Sequence, residues 1–341
     1  MEKTFHCSEN QLTQCIFNSS SSEFLTSGFD GKVILWNRYT GEVIDTIKGH
    51  ELPVYSIAFN SPYDDKIATS SIDKTAKIWD AKIRKCLYTL NHKLEVLNVT
   101  FSHDGKMLAT SCADGSSTIW NVNTGEKMQN FKQHSQEVVN SIFNNDNSNL
   151  LSYSYDGTAK IFNIGTGQLI ANFKEHSGEI SSCQFNPVDN NMIITGSFDK
   201  TLKIWDLRKP DKSIKTFTDS KGELNQIIFD SLGKKIAAAG SDGEIYVYNS
   251  STLTKDKQLS GHHSDVLSIM FNKNKELLLV SGGSDGTCKL WDVNKGNCVE
   301  TLEETNTEIF SCSFNARGDS IITANMDNIC KVWTRIIPVN P

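Results

Sequence analysis

The stretch VYSIAFNSPYDDKIATSSIDKTAKIW, Val54–Trp79, decides the fold. It reads as three strands and the turns between them. Val54–Asn60 is a first strand, a, and Ser61-Pro62 breaks it. Lys66–Ser70 is a second, b, stopped by Asp73-Lys74. Ala76–Trp79 is a third, c, and the Asp80–Arg84 stretch turns the chain into a fourth strand, d, over Lys85–Leu90. Runs such as KIATSS and AKIW hold β-branched and apolar residues that suit a buried, pleated surface. The Asn, Pro and Asp between them are turn formers.

The same unit recurs along the whole chain. An aromatic residue closes strand c at Trp36, Trp79, Trp120, Phe162, Trp205, Tyr248, Trp291 and Trp333, at spacings of 43, 41, 42, 43, 43, 43 and 42. An Asp stands six residues ahead of each: Asp30, Asp73, Asp114, Asp156, Asp199, Asp242, Asp285 and Asp327. A His occupies one matched place in five units, as His50, His92, His134, His176 and His262. Ser8, Ser220 and Thr305 fill it in the others.

A period of about 40–45 residues with Gly-His and Trp-Asp marks resembles the WD-repeat family. The marks are complete at Gly49-His50, Gly261-His262, Trp79-Asp80, Trp205-Asp206 and Trp291-Asp292. The resemblance implies an all-β, eight-bladed WD-repeat β-propeller, one domain over residues 1–341. A single four-stranded blade cannot bury both its faces, so blades stack into a closed ring. Lys3–Cys7, KTFHC, aligns with strand d elsewhere, as in Val299–Glu303. We therefore expect strand 3–7 to complete the last blade as a clasp, hiding two sheet edges.

Composition narrows the function classes. The 341 residues carry a net charge of −6, against the basic face that nucleic acid requires. MEKTFHCSEN has no apolar core of a secretory signal, and no run approaches the ~18 apolar residues of a membrane span. The nine cysteines include no C-x-x-C pair. Cys15, Cys183 and Cys312 share one repeat position, Cys86 and Cys298 another, and Cys288 and Cys330 a third, as small buried hydrophobes do. Reduced core thiols imply a reducing, cytoplasmic compartment.

Asp, His, a hydroxyl and Trp recur together. The sets are Asp73, His50, Thr69 and Trp79; Asp114, His92, Thr110 and Trp120; Asp199, His176, Thr195 and Trp205; and Asp285, His262, Ser281 and Trp291. A catalytic triad would occur once, beside an oxyanion hole. A set repeated around a ring is structural: it resembles the WD family's buried hydrogen-bond network. The sixth unit keeps only Asp242, with Ser220, Ala238 and Tyr248 in the other places, and is expected to be the loosest blade. Histidines one to a blade cannot share a metal, and no Gly-rich phosphate loop is present. We expect no enzyme, cofactor or metal.

The loops joining d to a and b to c share one face, the top. Just before strand a stand Gln11, Pro53, Glu95, Glu137, Glu179, Glu223, Asp265 and Glu308, six of them acidic. Just before the network Asp stand Phe29, Ile72, Ala113, Tyr155, Phe198, Ser241, Ser284 and Met326. Tyr55 and Phe310 add aromatics next to the acidic positions. The partner-binding surface expected from these is a ring of negative charge with apolar anchors. The opposite face leans basic through its c–d turns, among them Arg38, Lys82, Arg84, Arg208 and Lys212, read as solvated.

Within the WD group, Val54–Trp79 and TEIFSCSFNARGDSIITANMDNICKVW at Thr307–Trp333 resemble the dynein axonemal assembly factors with WD repeats. That resemblance implies a monomeric, cytoplasmic and ciliary adaptor, with intraflagellar transport and outer-arm dynein subunits as partners. Members have a small domain before the propeller, for which this chain leaves no room ahead of the clasp. The alternatives are a structural subunit of a large complex and a substrate receptor of a ubiquitin ligase.

Overall fold

The computed structural model describes residues 2–7, 10–274, 277–303 and 307–334. Every regular element in them is a β-strand, and the strands form eight four-stranded antiparallel sheets. Seven sheets are continuous in sequence, in the order a-b-c-d. Blade 1 runs Leu12–Phe17, Glu23–Gly28, Val33–Asn37 and Val43–Ile47, and blade 2 runs Val54–Phe59, Lys66–Ser71, Thr75–Asp80 and Cys86–Asn91. Each blade 2 strand lies within a residue of the span read from sequence.

The eighth sheet is composite. Strands Ile309–Phe314, Ser320–Asn325 and Ile329–Thr334 are completed by Glu2–His6, which pairs antiparallel with Ile329–Thr334 from Glu2↔Trp333 to His6↔Ile329. The clasp begins one residue before the expected span. Cys7 prolongs it by donating its amide to the Asn328 carbonyl at 3.0 Å.

The core lies between blades. The inner faces of neighbouring sheets interdigitate in slabs, as where Leu25, Val33, Leu35 and Ile47 of blade 1 meet Val54, Ile57, Phe59, Ile67 and Trp79 of blade 2. At the seam, Phe5 of the clasp is driven between blades 8 and 1. Its ring sits 4.9 Å from Phe24 and 5.6 Å from Trp36, both edge-on. Arg38 bolts the same seam. The sequence places it in a solvated turn, but it is only 7% exposed. It donates to the Ser21 carbonyl and to Ser320 Oγ of blade 8, and its guanidinium lies 5.7 Å from the Phe17 ring and 5.4 Å from Tyr39.

Strand a of every blade but the second lines a central channel of about 640 Å³. A strand at an inner edge would leave amides unpaired. Side chains from the preceding blade accept several of them: Gln14 from Ile57 N (2.8 Å), Ser182 from Ile227 N (3.2 Å) and Gln226 from Ile269 N (2.7 Å).

Two cysteines depart from the core reading. Cys86 is exposed and Cys298 half-buried, because strand d is the outermost strand and its alternate side chains face solvent. The other seven are buried, and all nine are free thiols.

Candidate protein-interaction face

The repeated polar set folds into a relay at the top of blades 2, 4, 5 and 7. In blade 5, His176 Nδ1 lies 2.8 Å from Asp199 Oδ2, and Nε2 lies 2.7 Å from Thr195 Oγ1. Asp199 also accepts from Ser177 N (3.1 Å) and from Thr201 Oγ1 (2.7 Å). Blades 2 and 7 repeat this through His50–Asp73 (2.7 Å) and His262–Asp285 (3.0 Å). Blade 4 repeats it through His134–Asp156 (2.9 Å), with Phe162 in place of Trp. Burial alone would raise the Asp156, Asp199 and Asp285 carboxyls. The His and Thr hydrogen bonds outweigh it and hold them well below the usual carboxylate range. The hydroxyls of Thr69, Thr110, Thr195 and Ser281 are fully buried, so none is placed to attack a substrate.

Three details of the network were not read in the sequence. Trp does not reach Asp. Trp205 Nε1 donates to Thr195 Oγ1 at 2.9 Å, and His176 meets the same oxygen. Trp79, Trp120 and Trp291 do likewise on Thr69, Thr110 and Ser281.

In blade 3 the relay is open. His92 contacts Thr110 at 3.1 Å but makes no hydrogen bond to Asp114, which instead accepts from Ser116. Here the His92 amide donates to the Lys74 carbonyl, so the strand-d ladder continues one residue further and the loop carries its following amide away from Asp114. Burial, only partly offset by Asp114, lowers the His92 pKa to about 4.

The sixth blade is not left with an isolated Asp. Tyr246 Oη donates to Asp242 Oδ2 at 2.7 Å, and Lys221 N donates to the same oxygen at 2.8 Å. Tyr248 stacks on Phe217 with centroids 4.1 Å apart, and both tyrosines are buried. A tyrosine two residues ahead of the Trp position replaces the His from the opposite side. The sequence carried that signal in EIYVY. Ser8 and Thr305, which fill the His place for blades 1 and 8, lie outside the described residues.

The two expected top-face positions are joined by one backbone bond in every blade. The residue before the network Asp donates its amide to the carbonyl of the residue before strand a. The pairs are Phe29–Gln11, Ile72–Pro53, Ala113–Glu95, Tyr155–Glu137, Phe198–Glu179, Ser241–Glu223, Ser284–Asp265 and Met326–Glu308, at 2.8 to 3.2 Å. Acidic and apolar side chains therefore stand side by side around the channel mouth. Glu137, Glu179, Glu223 and Glu308 are exposed; Glu95 and Asp265 are half-buried. Phe29 is 42% and Met326 40% exposed, while Tyr155 and Phe198 are half-buried. Burial, reinforced by Glu179 and Glu137, raises the Tyr155 phenol above its ordinary value.

Tyr55 and Phe310 are present for a reason the sequence did not give. The second residue of every strand a is a β-bulge: Leu12 pairs with Gly28 and Gln14 with Ser27, leaving Thr13 unpaired, and all eight blades repeat this. A bulge re-aims its side chain. Where that residue is polar it reaches the next blade: Thr13 to Val54 O (2.6 Å) and Asn225 to Val266 O (3.0 Å). Where it is apolar, as at Tyr55, Leu97, Val139, Leu267 and Phe310, it is half-buried at the mouth. The Tyr55 ring meets Phe29 edge-on at 6.5 Å. Leu97, Val139 and Leu267 were missed; their signal was the same offset from the strand-a start.

Residues 11–222 match the family model of the IFT122 first β-propeller, and residues 253–292 and 296–334 match the WD domain, G-beta repeat. The chain belongs to the WD-repeat β-propeller family. Among WD-repeat relatives, it is 23% identical over 329 residues to the guanine nucleotide-binding protein subunit beta of Arabidopsis thaliana, covering 92% of this chain and 77% of that one. It is 27% identical over 285 residues to the ribosome biogenesis protein WDR12 homolog of Drosophila persimilis, covering 80% and 60%. The periodic tryptophan protein 2 homolog of Schizosaccharomyces pombe matches at 34% over 128 residues, and the match spans only 15% of that protein. None of these three is named as a dynein assembly factor. The crystal structure of the computationally designed Ika8 protein superposes with a TM-score of 0.86 at 23% identity, over 97% of this chain and 98% of that one; it shares the propeller fold.

Proposed function

We propose that this WD-repeat propeller is a non-catalytic adaptor whose top face holds a basic or amphipathic segment of a protein partner inside a larger assembly. The observation that carries this reading is the ring of amide-to-carbonyl pairs that sets acidic and apolar side chains side by side around the channel mouth. Exposed charge speeds the encounter of a basic partner, and buried apolar anchors set how long it stays.

Two assemblies have support. The resemblance at Val54–Trp79 and Thr307–Trp333 favours an adaptor for outer-arm dynein transport into cilia. The names of the relatives favour a subunit of a ribosome biogenesis complex. Affinity purification of the tagged chain from ciliated cells separates them: dynein and transport subunits support the first, preribosomal proteins the second.

The face itself is tested by binding kinetics on the recovered partner. Glu137→Lys with Glu179→Lys should slow association and flatten its salt dependence. Phe198→Ala should speed dissociation, at a cost of about 1–3 kcal/mol. Parental binding by both variants, with loss of binding in Arg208→Glu, would move the working surface to the opposite face.

A further inference from the structure

Three thiols meet at the seam. Cys7 ends the clasp, Cys15 lies on strand a of blade 1, and Cys330 lies on strand c of blade 8. All three are buried in one cluster with Phe5, Phe24 and Trp36. The Cys330 thiol hydrogen-bonds with the thiols of both Cys15 and Cys7. No other core cluster among the described residues holds three cysteines: Cys183 stands in one, and Cys288 and Cys312 share another.

The seam is also where the ring can part. In seven blades a turn joins strand c to strand d, whereas in the eighth the two are held by pairing alone. A short terminal strand on an outer edge opens more readily than the core. When Glu2–His6 lifts from Ile329–Thr334, Cys7 and Cys330 are uncovered together. While the ring is closed they are protected. Burial, reinforced by Cys15 and Cys7, raises the Cys330 thiol well above its ordinary value, and a buried neutral thiol is inert.

We propose that the seam is a latch set by hydrogen peroxide: Cys7 is oxidised when the clasp lifts, and a disulfide to Cys330 forms when it returns. In the open state the Cys7 sulfur attacks one peroxide oxygen, the O–O bond breaks, and a sulfenic acid and one water result. On reclosure the Cys330 sulfur attacks the Cys7 sulfur. The S–O bond breaks, hydroxide leaves as a second water with the Cys330 proton, and the S–S bond forms. The two thiols give up two electrons, and the peroxide takes them. Cys330 lies opposite Phe5, two residues before Cys7, so the two cysteines are diagonal neighbours on one face of the pairing. Such diagonals run ~7–8 Å, beyond the easy reach of a bridge, so the end of the clasp must draw in. The resulting strain makes the bridge easily reduced, and a thiol such as glutathione releases it.

The test treats the full chain with hydrogen peroxide, alkylates the remaining thiols, and locates bridges by mass spectrometry of digests. Cys86→Ser with Cys298→Ser first removes the two thiols nearest solvent. A Cys7–Cys330 bridge should form. The melting temperature should rise by about 5 °C, because the bridge closes a loop from residue 7 to residue 330. Phe5→Ala loosens the clasp and should speed bridge formation about tenfold. Cys330→Ala should abolish the bridge and the rise while Cys7 still takes up a sulfenic-acid probe. Cys7→Ala should abolish all three. The latch is overturned if both cysteines stay free after peroxide, if Cys112 and Cys183 oxidise as fast as Cys7, or if the oxidised ring melts below the parent.

Discussion

Asp199 and Asp242 occupy the same repeat position and are satisfied by different chemistry. Asp199→Ala removes the acceptor for His176, Ser177 N and Thr201, and should cost about 1–3 kcal/mol. Trp205 keeps its bond to Thr195 and contributes nothing to that loss. Asp242→Ala should cost a similar amount, since Tyr246 Oη and two backbone amides lose their acceptor. Urea melts of the pair check this: a negligible loss at Asp242 would mean the tyrosine is no substitute for the histidine. His92 gives a pH signature. Its folded pKa of about 4 lies below the ordinary value of 6.5, so the folded state binds fewer protons than the unfolded one between those values. Stability is then full above pH 6.5 and falls toward pH 4, by about 2 kcal/mol between pH 7.5 and 5. His92→Gln should reduce that slope in melts at the two pH values. The residue types of the network were legible in sequence because eight copies repeat. That His92 misses Asp114 was not read, although it has a mark: His92 follows Trp79 by 13 residues, where the other four histidines follow the matched aromatic by 14.

Between residue and ring, the strands and turns repeat with a purpose that composition hides. The a–b turn opens with a buried Asn that locks onto the next blade: Asn186 Nδ2 donates to the Gly233 carbonyl at 2.9 Å. Gly233 has φ +67°, and a Cβ there would stand 2.2 Å from Asn186 Oδ1. Gly233→Ala should therefore destabilise by about 1–3 kcal/mol. Combined with Asn186→Ala the two losses should fall short of their sum, because the clash is relieved. Additive losses in a double-mutant cycle would rule out that lock. Strand boundaries were readable from alternation and turn residues. The bulge was not read, although it leaves a mark: the apolar core residues of strand a fall at i, i+3 and i+5, as Val54, Ile57 and Phe59, and the interval of three breaks the alternation. The exposure of Cys86 was hidden, because position within a blade rather than residue type sets it.

At the level of the ring, stability depends on a seam. Phe5 is buried against Phe24 and Trp36, and Phe5→Ala should cost about 3–5 kcal/mol. Removing residues 1–8 should cost more and expose the edge of Ile329–Thr334 to other chains. A truncated protein that melts with the parent and elutes as a monomer would show that the clasp is dispensable. Eight blades and their closure were legible because the N-terminal fragment matches strand d. The bolting of the seam by Arg38 was not, because a basic residue in a turn is ordinarily solvated.

The clasp also sets a timetable. Glu2 pairs with Trp333, so during synthesis the clasp strand waits about 330 residues for its partner strand. At ~5–20 residues per second that wait is on the order of half a minute. Throughout it, the side of blade 1 that carries Phe24 and Trp36 has no cover. A nascent chain in that state needs a holding chaperone more than a fast-folding sequence, and a ribosome that stalls before Ile329–Thr334 is made leaves a chain whose first blade stays sticky. Slowing translation of the final blade should raise chaperone occupancy of the growing chain, while slowing an interior blade should have a smaller effect.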